Sequence, residues 1–362
     1  MLEKDSVMCR FLDAVHSSKI LDLSEIGRRS GLGEQAARVY EAYVVSRGLV
    51  AKVSLNDLKM GLSNSLVLLH ARLDRFAQAQ DAVNYLFRRA LAVTVQRALG
   101  QTDFVMRAAV PIGQEENAKK IYDFLEQAGL ISSYELWELL SVPTHFSPDP
   151  CAFDYSSGTW KAHPSEGCAT EKKLVQQDLS PVTPDDLDIA LASALKRSAG
   201  ADIDAVARAA GSTKEELTAH LEQHVLGKGM VTSLYVDFYD PQLFAPDTAT
   251  VTLVAWPSHD QEEALGVLRT HYVFEVWPGV PLVAVFKCPL SAVFSLVREL
   301  ENRVFKGGFS DVRVFISPWY SVNSLGLPSS PITLGSNFAE GRWKFDADEL
   351  LEDLKRHLGL EA

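Results

Sequence analysis

Apolar positions recur along this chain with two periods. In residues 76–92, Phe76, Ala79, Val83, Leu86, Phe87 and Leu91 fall near helical spacing, and in 114–128 so do Ala118, Ile121, Phe124 and Leu125, ending at Gly129. Around these helices stand short apolar runs that read as strands: 65–73 (SLVLLHARL), 93–99, 104–110 and 131–142. The order βαββαβ predicts a ferredoxin-like domain, four antiparallel strands with two helices on one face. The same order returns later, as strand 250–256, helix 260–271, hairpin 273–287, helix 290–304 and strand 311–316.

Upstream of each such domain is a second pattern. Residues 23–50 (LSEIGRRSGLGEQAARVYEAYVVSRGLV) and 202–231 (DIDAVARAAGSTKEELTAHLEQHVLGKGMV) both read as a short helix, a glycine turn, a longer helix and a glycine stop before a strand. Gly211 follows Gly31 by the same interval, to within a single position, that separates Gly229 from Gly48. Gly158-Thr159-Trp160-Lys161 is echoed by Gly341-Arg342-Trp343-Lys344 at almost that interval again. Three anchors at nearly one offset predict a fused tandem. The fold class is α+β, a tandem repeat of winged helix-turn-helix plus ferredoxin-like βαββαβ domain. The expected boundaries are 1–60 (first helix-turn-helix), 61–142 (first ferredoxin-like domain), 143–183 (Pro-rich arm), 184–235 (second, degenerate helix-turn-helix), 236–325 (second ferredoxin-like domain) and 326–362 (arm and final helix). The arm holds Pro143, Pro148, Pro150, Pro164 and Pro181, and the tryptophan of each arm predicts that it wraps a surface. In 345–359 (FDADELLEDLKRHLG), Leu350, Leu351, Leu354 and Leu358 form one stripe that must dock in cis, on a helix-turn-helix or on another subunit.

These motifs resemble the Lrp/AsnC family of regulators, which join a helix-turn-helix to a ferredoxin-like ligand domain. The resemblance covers about residues 11–142. It rests on Gly48-Leu49-Val50, on Leu58-Lys59-Met60-Gly61-Leu62, and on Gly100-Gln101-Thr102-Asp103-Phe104-Val105-Met106. The last is similar to the family's Gly-Asp-x-Asp-Tyr-x-Leu turn, with Gln101 for the first Asp and Phe104 for Tyr. The resemblance implies a small effector, an amino acid or similar, bound at Gly100, Gln101, Asp103 and Phe104, and self-association into a homo-oligomer. Read on their own, Gly100 and Asp103 are also ordinary β-turn residues. The corresponding turn of the second copy, Trp277-Pro278-Gly279-Val280-Pro281, has no acid.

Charge qualifies the regulator reading. The chain has 35 basic and 47 acidic residues, net −12, which excludes a uniformly basic nucleic-acid coat. Residues 1–59 hold 9 basic and 8 acidic residues, net +1, and 184–232 hold 5 and 8, net −3. Promoter DNA is therefore the expected partner of the first module alone. Arg28, Arg29, Arg38, Arg47 and Lys52 are its phosphate candidates, and Gln35 and Arg38 its base-edge candidates. The apolar Val39, Tyr40, Ala42 and Tyr43 on that second helix weaken the case. Glu215, Glu216 and Glu222 repel phosphate from the second module.

No nucleotide fingerprint, nucleophile elbow or HExxH motif occurs, so no catalytic residue, cofactor or metal is assigned. His145, Cys151, His163 and Cys168 lack the tight spacing of a zinc knuckle. They read as unlinked residues of the arm, with a Cys151–Cys168 disulfide as the alternative in a thermophilic source. The most lipid-like stretch, 278–297, is broken by Pro281, Lys287 and Pro289. With no basic-then-apolar start, the expectation is a cytoplasmic protein without membrane contact. Three functions follow in order: an effector-sensing transcription regulator; the same scaffold without DNA recognition, binding a ligand or protein; and a siroheme-decarboxylase-like enzyme. Siroheme decarboxylases resemble paired Lrp/AsnC units, but use Arg and His near the strand after the wing. Residues 49–62 and 229–244 contain neither.

Overall fold

The computed structural model describes residues 2–46, 51–89, 92–98, 103–155, 159–161, 174, 178, 180, 182–236, 248–257, 271–305, 309–318, 322–323 and 338–360. The repeat is visible in how its helices begin and end. Helices α1 (Leu2–His16), α2 (Leu23–Ser30) and α3 (Glu34–Ser46) make the first helix-turn-helix. Asp22 caps α2 by accepting from the N–H groups of Ser24 and Glu25, and Gly31 stops it at φ 71°. One repeat later Asp202 caps the equivalent helix through Asp204 and Ala205, and Gly211 stops it at φ 68°. Gly27 is needed for another reason: a Cβ there would lie 2.5 Å from the Gly33 carbonyl carbon.

Strand β1 (Ala51–Leu55) leads into the first ferredoxin-like domain. This comprises β2 (Leu62–Ala71), α4 (Phe76–Arg88), β3 (Ala92–Arg97), β4 (Asp103–Pro111), α5 (Glu115–Gln127) and β5 (Ile131–Leu139). The arm follows with β6 (Thr144–His145) and the small hairpin β7 (Phe153–Asp154) and β8 (Thr159–Trp160). The second copy runs α6 (Asp186–Arg197), α7 (Ile203–Ala210), α8 (Lys214–His220), β9 (Val231–Val236), β10 (Thr248–Pro257), β11 (Val273–Trp277), β12 (Leu282–Pro289), α9 (Val293–Phe305) and β13 (Phe309–Pro318). Then come β14 (Val322–Asn323), the hairpin β15 (Phe338–Ala339) and β16 (Arg342–Trp343), and α10 (Ala347–Leu358). The expected helix at 260–271 lies almost wholly outside the described residues.

The copies interlock. Wings β1 and β9 pair antiparallel, and each opening helix lies against the other copy's wing. Leu234 N–H donates to Ser18 O at 2.7 Å, and Ala199 N–H donates to Ala51 O at 2.8 Å. Each sheet also takes a two-residue strand from the other copy, β14 on β3 and β6 on β11. The strand orders are β14-β3-β4-β2-β5 and β13-β10-β12-β11-β6. One face of each sheet packs on helices, and the opposite faces meet through Leu66, Leu68 and Val105 against Val254, Val283 and Phe315. Thr252 Oγ1 donates to Gln96 Oε1 across that seam at 2.9 Å.

The described parts of both arms are packed. Phe153 and Tyr155 enter the core of the paired helix-turn-helix units, and Phe146 and Ala152 enter that of the second ferredoxin-like domain. Trp343 stands edge-on to Phe338, and its Nε1–H donates to Met60 O at 2.7 Å. Helix α10 docks in cis on α4 and α5, where Leu350 and Leu354 join the first domain's core and Asp353 and Asp348 pair with Arg89 and Lys120. One reading of the arm is corrected: Cys151 is disulfide-bonded and so has no thiolate for a metal. His163 and Cys168 lie outside the described residues.

Candidate functional site

The DNA-binding candidates lie on two helices and a wing. Arg28 and Arg29 both reach Glu25 at 2.7 Å, and Arg29 also donates to Ser17 O. Their two guanidiniums hold the exposed Glu25 carboxyl down at about 2. Arg38 pairs with Glu34 at 2.6 Å, Gln35 is exposed, Lys52 is half-buried on β1, and Arg47 lies outside the described residues. These ion pairs are exposed and lie within one helical turn, where such pairs add little to stability, so a phosphate can redirect the side chains at small cost.

The effector candidates are divided. Gly100 and Gln101 lie outside the described residues. Asp103 Oδ1 is 2.9 Å from His70 Nδ1 on the neighbouring strand, and His70 Nε2 is 3.5 Å from Glu135 Oε1. Glu135 accepts from Arg313 of the other copy at 2.5 Å, and that guanidinium lies over Trp137 and Trp256. Phe104 points away from this node. It is 2% exposed and stacked on Phe76 in the helix-side core, because adjacent strand residues face opposite sides of the sheet.

A denser polar centre forms where the helix-turn-helix pair meets both ferredoxin-like domains; of its residues only His145 was singled out in the sequence, and there as an arm residue beside Cys151. Arg107 of β4 faces the other copy, its NH1 4.0 Å from Glu275 Oε1 and its guanidinium over the Trp277 ring. Glu275 accepts from Trp277 Nε1–H at 2.5 Å. Its neighbour across the β6–β11 pairing is His145, whose Nε2 is 3.9 Å from Glu275 Oε2. The His145 ring stacks on Tyr235 of wing β9 at 4.2 Å. Behind it His16, at the end of α1, accepts from Val236 N–H through Nε2 at 3.1 Å. Burial, and then His145 beside it, push His16 down to about 3, so its ring is neutral.

Lys196, at the end of α6, occupies the place in the second copy that His16 holds in the first, counted by the interval from Gly31 to Gly211. Burial lowers its pKa against the opposing pull of Asp57, while Arg107 adds to the lowering and Glu275 resists it. Asp57 in turn accepts from Asn64 Nδ2 at 2.8 Å. Three buried polar atoms of this region, Arg107 Nε, Asn64 Oδ1 and Ser54 Oγ, have no hydrogen-bond partner among the described residues. An unsatisfied buried donor or acceptor costs about 1–3 kcal/mol, and each is an opening for a polar ligand. Chemically the centre offers fixed positive charge from Arg107, a lysine whose proton is easier to remove than usual, and neutral imidazole.

The signal that could have found it was faint. Arg107 is the lone cation in the strand DFVMRAAVP, and Glu275 the lone anion in VFEVW. Charge inside a run buried on both faces needs a partner from elsewhere, and nothing local says from where.

No protein-family model matches the chain, and no curated protein sequence does. Among solved structures it is similar to the siroheme decarboxylase NirDL, at 12% identity over 98% of both chains with a TM-score of 0.56. A second NirDL structure, in co-complex with an iron-uroporphyrin III analogue, is 12% identical over 85% of this chain and 90% of that chain, with a TM-score of 0.53. The E. coli AsnC structure aligns with 37% of this chain and 91% of its own at 19% identity, TM-score 0.29. The tandem α+β fold is thus shared end to end with NirDL. Among the described residues, no helix is long and apolar enough to cross a membrane.

Proposed function

We propose that the chain acts on a carboxylate-bearing small molecule at the polar centre, and that its chemistry is non-oxidative decarboxylation of a siroheme-like tetrapyrrole. The observation that carries this reading is Arg107: a half-buried guanidinium between the two copies, its Nε buried and without a partner among the described residues, facing Glu275 and close enough to Lys196 to lower that lysine's pKa. Decarboxylation breaks a C–C bond, releases carbon dioxide and leaves an electron pair on carbon that takes up one proton. The protein must supply that proton and hold the remaining carboxylates. A lysine with a lowered pKa and an arginine fork suit those two tasks. The likeness to a siroheme decarboxylase over the whole chain supports the reading. The arginine and histidines here come from β4, β6 and α1, not from residues 49–62 or 229–244.

The second reading is a transcription regulator binding promoter DNA through Arg28, Arg29, Gln35, Arg38, Arg47 and Lys52. Its effector would lie at Gly100, Gln101, Asp103 and Phe104, and it would work as a homo-oligomer. The exposed Gln35 and Arg38 on α3 favour it. One experiment weighs both. Purified protein is titrated with siroheme, followed by the Soret band and by mass detection of carbon dioxide loss, and in parallel with its own promoter fragment at varied salt. The proposal expects a saturable Soret shift and a product short of carbon dioxide, with Arg107→Ala weakening binding at least tenfold at unchanged thermal stability. No shift and no product, together with a promoter affinity that falls steeply with salt, would establish the regulator instead.

A further inference from the structure

A second cluster of titratable groups lies apart from this centre, within the second helix-turn-helix. Asp185 and Asp188 close a capping box at the start of α6. Asp185 Oδ1 accepts from the N–H groups of Leu187 and Asp188, and Asp188 Oδ2 accepts from Asp185 N–H at 3.0 Å. The other oxygen of Asp188, a side chain with 0% exposure, points at two histidines. It is 2.9 Å from His220 Nε2 and 3.8 Å from His224 Nδ1. Asp185 is 3.2 Å from His220 Nε2 and 3.9 Å from His224 Nδ1. His220 ends α8, and His224 sits one turn on, in the π-helical segment Leu221–Leu226; such irregular turns are frequent at functional sites.

The fold does not require the buried aspartate or the two histidines. At the repeat-equivalent positions the first copy has Met8 for Asp188, Tyr40 for His220 and Val44 for His224. Met8 and Val44 are core residues, and Tyr40 stacks on Phe11. Four ligand atoms, one from each of Asp185, Asp188, His220 and His224, all lie within 4.8 Å of one another. A tetrahedral ion with ligand bonds of roughly 2.0–2.1 Å has ligand-to-ligand edges of about 3.3 Å, inside the span of separations seen here. Lys228 Nζ already lies 3.1 Å from His224 Nδ1, so the place draws a cation.

We propose that Asp185, Asp188, His220 and His224 form a binding site for one divalent transition-metal ion. Two imidazoles with two carboxylates suit zinc. The ion would displace the Lys228 ammonium and pin α8 to the start of α6. The second helix-turn-helix, too acidic for phosphate, would then be a metal-clamped structural module.

The test uses full-length, tag-free protein freed of metal by chelator. It is titrated with Zn2+ by calorimetry and with Co2+ by visible absorption, and its thermal midpoint is read with and without Zn2+. The expected result is one equivalent bound, intense tetrahedral Co2+ bands that Zn2+ abolishes, and a midpoint raised by several degrees. His220→Gln and His224→Gln should each weaken binding at least tenfold, while His357→Gln on α10 leaves it intact. His224 is the more exposed of the pair, so its variant reports even if His220→Gln fails to fold. Absence of saturable binding to the wild type, or equal affinity in His224→Gln, overturns the proposal.

Discussion

Lowering the pH from 7.5 to 5 should destabilise this protein through His16. The ring is buried, and its Nε2 accepts a hydrogen bond from Val236 N–H at 3.1 Å. The neutral proton therefore sits on Nδ1, 3.5 Å from Ser147 Oγ. A second proton would remove the acceptor that Val236 needs and place a charge beside His145. The folded value is lowered to about 3, against about 6.5 for an unfolded chain. A depressed histidine costs nothing above pH 6.5, and its penalty grows as the pH falls from 6.5 towards 3. At pH 5 the unfolded chain binds nearly one proton that the folded chain refuses, a difference of about 2 kcal/mol. That corresponds to a thermal midpoint lower by several degrees. Because carboxylates also titrate in this window, the comparison is with His16→Gln, whose amide oxygen accepts from Val236 without titrating. Thermal denaturation at pH 7.5 and 5 should show a smaller drop for the variant. Equal drops in the two proteins would refute the assignment of a buried, neutral imidazole.

Two further outcomes follow from packing. Leu354 is wholly buried between α10 and the helices of the first ferredoxin-like domain. Leu354→Ala should cost about 2–5 kcal/mol in urea denaturation, and deletion of residues 346–362 should cost more; a loss below about 0.5 kcal/mol would mean that α10 is not docked there. Trp343→Phe keeps the ring against Phe338 but removes the Nε1–H bond to Met60 O. A loss near 1 kcal/mol is expected by the same measurement, and no loss would show that water satisfies the Met60 carbonyl as well as the indole N–H does.

The elements themselves were legible from periodicity. The strand expected over 65–73 is found as Leu62–Ala71, and the helix over 114–128 as Glu115–Gln127, since alternation and 3.6-residue spacing are local properties. The duplication was legible as well. Asp22 with Gly31 and Asp202 with Gly211 are caps and stops written in single residues, and Thr159-Trp160 and Arg342-Trp343 of the two echoed segments each pair antiparallel with a strand just upstream. The strand exchange was not legible. Residues 144–145 and 322–323 are two-residue strands that exist only because the opposite sheet offers an open edge. Nor were the two polar clusters. Arg107, Glu275, His145, His16 and Lys196 come from five elements in both copies, and each reads alone as an isolated charge or imidazole. His220 and His224 have helical spacing, but their carboxylates lie two helices back in the chain, at the start of α6. Sequence by itself determined the secondary structure, the caps and the tandem plan, because these depend on neighbours within a turn or on comparison of one half with the other. Tertiary structure alone decided which charges are buried together, because burial and pairing depend on distances that only the interlocking of the two copies sets.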